Sequence, residues 1–137
     1  MEHDIAYPSV EKIVEFNLLA LTLIKVKKAD SHSVLSLSKI REAMKECQNA
    51  EGDIYKKATV LLKALVKKHA FASGNRRTAF IAAKFFVLSN GGSFRIVDDP
   101  HYARAMQGIR EDYYSEEEIT EWIKHGKIRE FKRSLQA

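Results

Sequence analysis

The spacing of apolar positions along the chain predicts helices over most of its length. From Val10 to about Val26 the apolar residues recur three or four positions apart, and Ser9 is placed to cap the start of this helix. The same spacing predicts helices from Leu37 to Gln48 and from Ile54 to Lys68. We expect the apolar face of the second helix to consist of Leu37, Ile40, Ala43, Met44 and Cys47.

The segment from Thr78 to Ser89 is apolar nearly all round, unlike the amphipathic helices before it. A helix with so thin a polar face is expected in the centre of a domain. Asn90, Gly91 and Gly92 follow it and tolerate the positive φ that often ends a helix. We therefore predict that this helix forms the centre of the fold.

The last third of the chain contains two further helix starts. Asp99 and Pro100 fit the N-cap and first position of a helix that continues to about Ile109. Ser115 and Glu118 have capping-box spacing before a final helix. Other segments here are a possible short strand at Phe94 to Val97, a glycine stop at Gly126, and a basic tail from Lys127 to Ala137 compatible with further helix.

Composition supports a helical domain with few turns. The 137 residues include only six glycines and two prolines, which argues against an all-β sandwich. Cys47 is the single cysteine, so no intramolecular disulfide or multi-cysteine zinc site is possible, and a small core residue is the simpler interpretation. We expect one all-α domain, 1–137, of five or six helices.

Charge and hydropathy add little about the partner. Lys and Arg number 23 against 18 Asp and Glu, a net charge of +5 that is compatible with phosphate-bearing partners and only weakly indicates nucleic acid. No run of about 18 apolar residues occurs, and the acidic start is unlike a signal peptide. We expect a cytoplasmic protein that does not engage a membrane.

The chemistry of the chain is concentrated between His69 and Thr78. Gly74 and Asn75 lead into a helix start, where free backbone N–H groups and the helix dipole attract anions. Arg76 and Arg77 follow, although positive charge is unfavourable at that end of a helix. Two arginines are reasonable there if they bind a phosphate, and His69 would face the same pocket as a base.

The residues His69-x-Phe71-x-x-Gly74-Asn75-x-Arg77 resemble the signature of the Fic/Doc family, and most closely its Doc (death-on-curing) branch. The likeness extends over most of the chain. It includes the helix at Tyr55 to Lys68, the run Arg77 to Ala79, the ending Leu88 to Gly91, and the late segment Glu117 to Ile123.

The resemblance implies a role for each residue of the motif. His69 would remove the proton from a target hydroxyl, and Phe71 would anchor the loop in the core. Gly74, Asn75 and Arg76 would form the anion loop, with Arg77 as the phosphate clamp. The substrates implied are ATP, usually with Mg²⁺, and a hydroxyl of a target protein.

The chain departs from the family pattern at three motif positions and one beyond. Ala70 replaces a common proline. Arg76 stands where the Doc branch has lysine, and Phe80 replaces a second arginine, which both fit phosphoryl transfer better than AMP transfer. Ser73 occupies the acidic position that binds Mg²⁺, and a neutral hydroxyl is a weak ligand for that ion. The sequence leaves open whether the metal binds.

Two functions remain open at this stage. The first is a Doc-like toxin that transfers a phosphoryl or AMP group to a protein such as elongation factor Tu, with a separate antitoxin because no inhibitory motif is complete near Ser38 to Ala43. The serine-rich segment Lys28 to Ser38, an exposed loop or short hairpin, lies where the family has its target-aligning flap. The second is a catalytically silent Fic-fold module that binds an anion, a partner or nucleic acid, which Ser73 and the net charge favour.

Overall fold

Six α-helices make up most of the described part of the protein. The structure is a computed structural model that describes residues 4–24 and 33–132, with only the backbone at residues 23 and 24. No β-strand forms within these ranges, so the predicted all-α class is confirmed. None of the described helices is long and apolar enough to cross a membrane. The helices are α1 (Val10–Ile24), α2 (Leu37–Asn49), α3 (Ile54–Lys68), α4 (Asn75–Ser89), α5 (Pro100–Arg110) and α6 (Glu116–His125).

Side-chain caps set the start of five of the six described helices. Each capping oxygen accepts a hydrogen bond from a backbone N–H two or three positions later, which satisfies donors that have no partner within the helix. In α6 the cap is reciprocal, because Glu118 also accepts from the N–H of Ser115. The capping residues are Ser9, Ser36, Asp53, Asp99 and Ser115.

The centre of the fold is α3, which packs against α2, α4, α5 and α6. It buries consecutive positions, Lys57 to Thr59 and again Ala64 to Val66, which requires neighbours on more than one side. The segment predicted to be central, Thr78 to Ser89, shares this position, because it buries seven residues and forms the most extensive helix pair together with α3. That segment lies in α4, which packs mainly on α3 and α1 and leaves Phe85 37% and Leu88 53% exposed.

Two predicted helix positions need correction near the loop. α4 begins at Asn75, three residues before the predicted Thr78, because Gly74 already supplies its N-cap. Leu37 is 44% exposed and does not belong to the apolar face of α2, since it lies in the first turn, beside the exposed cap. The other predicted members of that face are buried: Ile40, Ala43, Met44 and Cys47.

The segments around α6 are irregular where regular structure was expected. Phe94 to Val97 forms no strand, because the Arg95 N–H donates to the carbonyl of Ile123 in α6 and not to a strand partner. Gly126 ends α6 with φ of 74°, and a Cβ there would lie 2.7 Å from the Arg95 carbonyl oxygen. The described part of the basic tail, up to residue 132, is not helical, and the buried Phe131 ties it to the core.

The proposed flap segment is only partly described. Residues 28–32 of the predicted loop, and residues 25 and 26 of the first predicted helix, lie outside the described ranges. Val34 forms an isolated antiparallel bridge with Phe71, and the N–H groups of Leu35 and Ser36 donate to the Ala70 carbonyl. The end of this segment that leads into α2 therefore lies along the loop that joins α3 to α4.

Candidate active site

The loop from His69 to Gly74 connects the two helices with the most extensive mutual packing, α3 and α4. His69 ends α3 in the left-handed conformation, with φ of 53° and ψ of 55°. A non-glycine residue there costs about 1 kcal/mol or more, and such strain is concentrated at functional sites. The backbone thus presents an exposed histidine at a strained turn.

The side-chain amide of Asn75 closes this loop. Its Oδ1 accepts from the N–H of Phe71 at 3.1 Å, and its Nδ2 donates to the Phe71 carbonyl at 2.8 Å. Phe71 is itself 1% exposed and packs in the core. Because both ends of the amide serve the loop, what Asn75 can offer an anion is its backbone N–H.

Asn75 also touches the imidazole of His69. Its Nδ2 lies 3.3 Å from His69 Nδ1, and an amide nitrogen can only donate in this contact. Nδ1 of the imidazole is therefore the acceptor in this contact. The residue is exposed and lines the cavity, so an incoming hydroxyl can reach the ring.

Helix α4 starts without a side-chain cap, in contrast to the other described helices. Its N-cap is Gly74, with φ of 79°, and a Cβ at this position would lie 3.2 Å from Leu21 Cδ2 and 3.3 Å from Asn17 Nδ2. The positive φ favours glycine, and any larger residue would also require the side chains of Leu21 and Asn17 to shift slightly. The N–H groups of the first turn and the positive end of the dipole remain open to a ligand.

Asn17 is a site residue that the sequence analysis missed. This fully buried side chain of α1 donates through Nδ2 to the Ser73 carbonyl at 2.8 Å and to Thr78 Oγ1 at 3.1 Å. Thr78 Oγ1 in turn donates to the Gly74 carbonyl at 2.7 Å. An asparagine inside an otherwise apolar helical stripe was the signal that could have found it.

Arg77 has two kinds of partner within the protein. Its Nη1 lies 2.7 Å from Asp98 Oδ2, and its guanidinium lies 4.9 Å from the ring centre of Tyr102 and 5.5 Å from that of Phe80. The hydrogen bond to Asp98 raises the pKa of Arg77 further, so the group stays charged. The sequence predicted a phosphate clamp here and did not anticipate the carboxylate beside it.

Tyr102 lies beside Arg76 and Arg77. Burial raises the pKa of Tyr102 to about 12, so its hydroxyl is protonated at neutral pH. The hydroxyl donates to the Arg76 carbonyl oxygen at 3.4 Å. Tyr102 therefore connects α5 to the first turn of α4.

A cavity of about 630 Å³ brings the loop and α5 together. Its volume suits a small-molecule ligand. The cavity is lined by six of the residues that the sequence predicted for the site: His69, Ser73, Gly74, Asn75, Arg76 and Arg77. The opposite wall is α5, with Arg104, Gln107 and Arg110. Sequence analysis overlooked these α5 residues, although Gln107 and Arg110 share helical spacing with Ala103.

The donor set of this cavity does not fit a resident Mg²⁺. Magnesium is usually held through one or two carboxylates, whereas Ser73 offers a neutral hydroxyl and none of the described lining residues is Asp or Glu. Elsewhere in the described ranges, no group of three or more His, Cys, Asp or Glu side chains could hold a metal ion. No step of the chemistry below is therefore assigned to a protein-bound metal.

A helical domain with a histidine, an uncapped helix start and several arginines around one cavity has the groups that are suited to binding an anion. The model of the Fic/DOC family matches residues 8–87, more than half of the chain, and the chain belongs to this family. Members of the family transfer nucleotide-derived groups to proteins. No curated protein sequence gives a significant match. The family match contains the whole loop and α4 up to Val87, whereas α5 lies beyond it.

Proposed function

We propose that this protein is a Doc-like transferase that moves a phosphoryl group from ATP to a hydroxyl of a target protein. The observation that carries the proposal is the meeting of His69, the uncapped start of α4 and its two arginines in one cavity. A base, an anion-binding helix terminus and fixed cations are the parts that such a transfer needs.

The reaction divides between these groups as follows. The imidazole of His69 takes the proton of the target hydroxyl, and the hydroxyl oxygen forms a bond to the γ-phosphorus. The bond from that phosphorus to the bridging oxygen breaks, and ADP leaves with the electron pair. The N–H groups at the start of α4 and the side chains of Arg76 and Arg77 bind the phosphate oxygens and stabilise their charge.

Two features favour phosphoryl transfer over AMP transfer. Arg76 places a long cation beside the Gly74–Asn75 turn, as the lysine of the Doc branch does. Phe80, at the position of the family's second arginine, is buried and makes edge-to-face contacts with Phe94 and Tyr102, and it offers no charge to a phosphate. In AMP transfer the attack would be on the α-phosphorus and pyrophosphate would leave.

The partners follow from the resemblance to the Doc branch. They are a protein target of the elongation factor Tu type and a separate antitoxin, both in the cytoplasm. The segment before α2 supports a protein target, because its described end pairs with the loop and Ala72 N–H donates to the Ser33 carbonyl. An extended segment beside the cavity can align a target chain.

The second candidate is a silent Fic-fold module that binds an anion or a partner without transferring a group. The observations that favour it are the neutral Ser73 and the pairing of Arg77 with Asp98, because the carboxylate takes up one of the hydrogen-bond donors of the guanidinium. Nucleic acid is a weaker form of the same alternative, supported only by the net charge of +5.

One experiment distinguishes the transferase from the silent binding module. The purified protein is incubated with cell lysate and either γ- or α-labelled ATP, in Mg²⁺, in Mn²⁺ and in EDTA. Protein labelling by the γ-label alone supports phosphoryl transfer, and by the α-label alone indicates AMP transfer. His69→Ala should reduce labelling by about 10²–10⁴-fold, the usual contribution of a placed base.

His69→Asn is the matched control, because asparagine tolerates the left-handed conformation and keeps the loop while it removes the base. Both variants should bind ATP as the unchanged protein does. No labelling under any metal condition would leave the binding module as the function, and full labelling by folded His69→Asn would remove His69 from the chemistry.

A further inference from the structure

The cavity holds more positive charge than the family motif alone supplies. Four arginines line it, Arg76 and Arg77 from α4 and Arg104 and Arg110 from α5, and its described lining contains no carboxylate. Building on the proposed function, we propose that the pocket binds the polyphosphate of its nucleotide as a metal-free anion, with Arg76 and Arg110 supplying the charge that a divalent ion would otherwise provide.

The four guanidinium groups differ in how far they are already satisfied. Arg77 pairs with Asp98 at 2.7 Å, and Arg104 donates to the Phe131 carbonyl at 3.1 Å and lies 5.9 Å from the centre of that ring. Arg76 and Arg110 are exposed, and neither forms an ion pair with a described residue. These two are therefore the cations that remain available to a ligand.

Helix electrostatics explain one of these two arginines and not the other. Arg110 lies in the last turn of α5, where a cation is favourable without any ligand. Arg76 lies in the first turn of α4, where a cation is unfavourable unless an anion is bound. The cavity thus has a cation in a favourable position on α5 and a cation in an unfavourable position on α4. A bound polyphosphate would offset the unfavourable interaction of Arg76 with the helix dipole.

A divalent ion would meet repulsion in this pocket. It would find three guanidinium groups without a carboxylate partner among the described residues, a fourth at Arg77 that is paired with Asp98, and at Ser73 only a neutral oxygen. Free ATP carries more negative charge than its Mg²⁺ complex, so it gains more from the same arginines. The charge of the lining therefore selects the free polyphosphate over its magnesium complex.

The experiment is calorimetric titration of the full chain with ATP and with inorganic tripolyphosphate at low salt, in EDTA and in excess Mg²⁺. We expect ATP to bind at least about tenfold more tightly in EDTA, since it loses charge-assisted hydrogen bonds when Mg²⁺ occupies its oxygens. Arg110→Gln should weaken ATP binding in EDTA by about tenfold. Arg41→Gln, on α2 outside the cavity, removes the same charge and should leave the affinity unchanged.

Ser73→Asp tests the same idea in the opposite direction. A carboxylate there restores a magnesium ligand, and we expect Mg²⁺ to strengthen ATP binding in this variant. Weaker binding in both conditions would mean that the new acid only pairs with Arg76 or Arg77, and would contradict a role for residue 73 in metal selection.

The outcomes also separate this inference from the proposed function. Tighter ATP binding in Mg²⁺ by the unchanged protein overturns the inference and leaves nucleotide-dependent transfer intact. Binding of tripolyphosphate in EDTA without binding of ATP supports the metal-free pocket and overturns nucleotide transfer. Equal effects of Arg110→Gln and Arg41→Gln, with unchanged melting temperatures, overturn the role of Arg110.

Discussion

Arg77 shows how one side chain can serve both the fold and the site. It is paired with Asp98 and lies against two aromatic rings, yet it lines the cavity next to the open start of α4. The carboxylate orients the guanidinium and also competes with any phosphate for its N–H donors. Arg77 and Asp98 should therefore have opposite effects on anion affinity.

Arg77→Ala is expected to weaken ATP binding by about tenfold, because a charge-assisted contact is lost. Asp98→Asn should strengthen binding, since it removes the competing charge and keeps a hydrogen-bond acceptor. Calorimetry at low salt measures both, with circular dichroism to verify folding. Unchanged affinity in Arg77→Ala would show that this arginine only packs on Tyr102 and pairs with Asp98.

At the scale of elements, the position of the anion loop depends on α1 as much as on the helices that flank it. Asn17 of α1 holds the Ser73 carbonyl and Thr78 Oγ1. Leu21, one turn later, limits the space at Gly74. The start of α4 is thus fixed from the side by a helix more than fifty positions earlier in the chain.

Asn17→Leu keeps the number and the branching of the side-chain heavy atoms and removes the hydrogen bonds of the amide. We expect a loss of about 2 kcal/mol in the free energy of unfolding, because buried polar groups are left unsatisfied. ATP affinity should also fall as the loop loosens. Urea unfolding and calorimetry measure the two effects, and Thr22→Ala, an exposed change on the same helix, should cost less than about 0.5 kcal/mol. Equal stability of Asn17→Leu and Thr22→Ala would contradict the role of Asn17.

At the scale of the whole molecule, the packing of α2 on α3 forms the side of the core that holds Cys47. The ammonium group of Lys57 donates to the carbonyls of Gln48 at 2.9 Å and Ala50 at 2.8 Å, so it satisfies the C-terminal end of α2. Cys47 Sγ contacts the Lys57 carbonyl at 3.5 Å. Burial raises the pKa of the Cys47 thiol to about 11.

The thiol should therefore report on global unfolding. Relative to the ordinary pKa of a cysteine thiol, 9.0, a pKa of about 11 lowers the thiolate fraction about hundredfold at pH 8, and burial slows attack further. We expect iodoacetamide to alkylate Cys47 at least about a hundredfold more slowly in the native protein than in urea. Comparable rates would indicate that the α2–α3 interface opens locally.

The same pKa shift gives a pH dependence. Because the folded state keeps the thiol proton that the unfolded state loses, this contribution to stability is present below pH 9 and is lost as pH rises towards about 11. The stability difference between the unchanged protein and Cys47→Ala should shrink over that interval.

Much of the molecule followed from local sequence. The six helices, the capping box at Ser115 and Glu118, and the Asp99–Pro100 start of α5 were predictable because periodicity and caps act within a few residues. The loop from His69 to Arg77 was predictable for the same reason, since its glycine, asparagine and arginines are contiguous.

Tertiary packing decided what lies around that loop. It surrounded α3 with four helices, whereas α4 packs mainly on α3 and α1, because burial depends on how many helices surround an axis and not on apolar content alone. It also brought the α5 arginines to the cavity, Asn17 to the Ser73 carbonyl and Asp98 to Arg77, all from distant parts of the chain. Asn17 at least interrupts an apolar stripe, but the contacts of Asp98 and the α5 arginines leave no periodic or adjacent signal in the sequence, so the charge of the pocket became visible only in the fold.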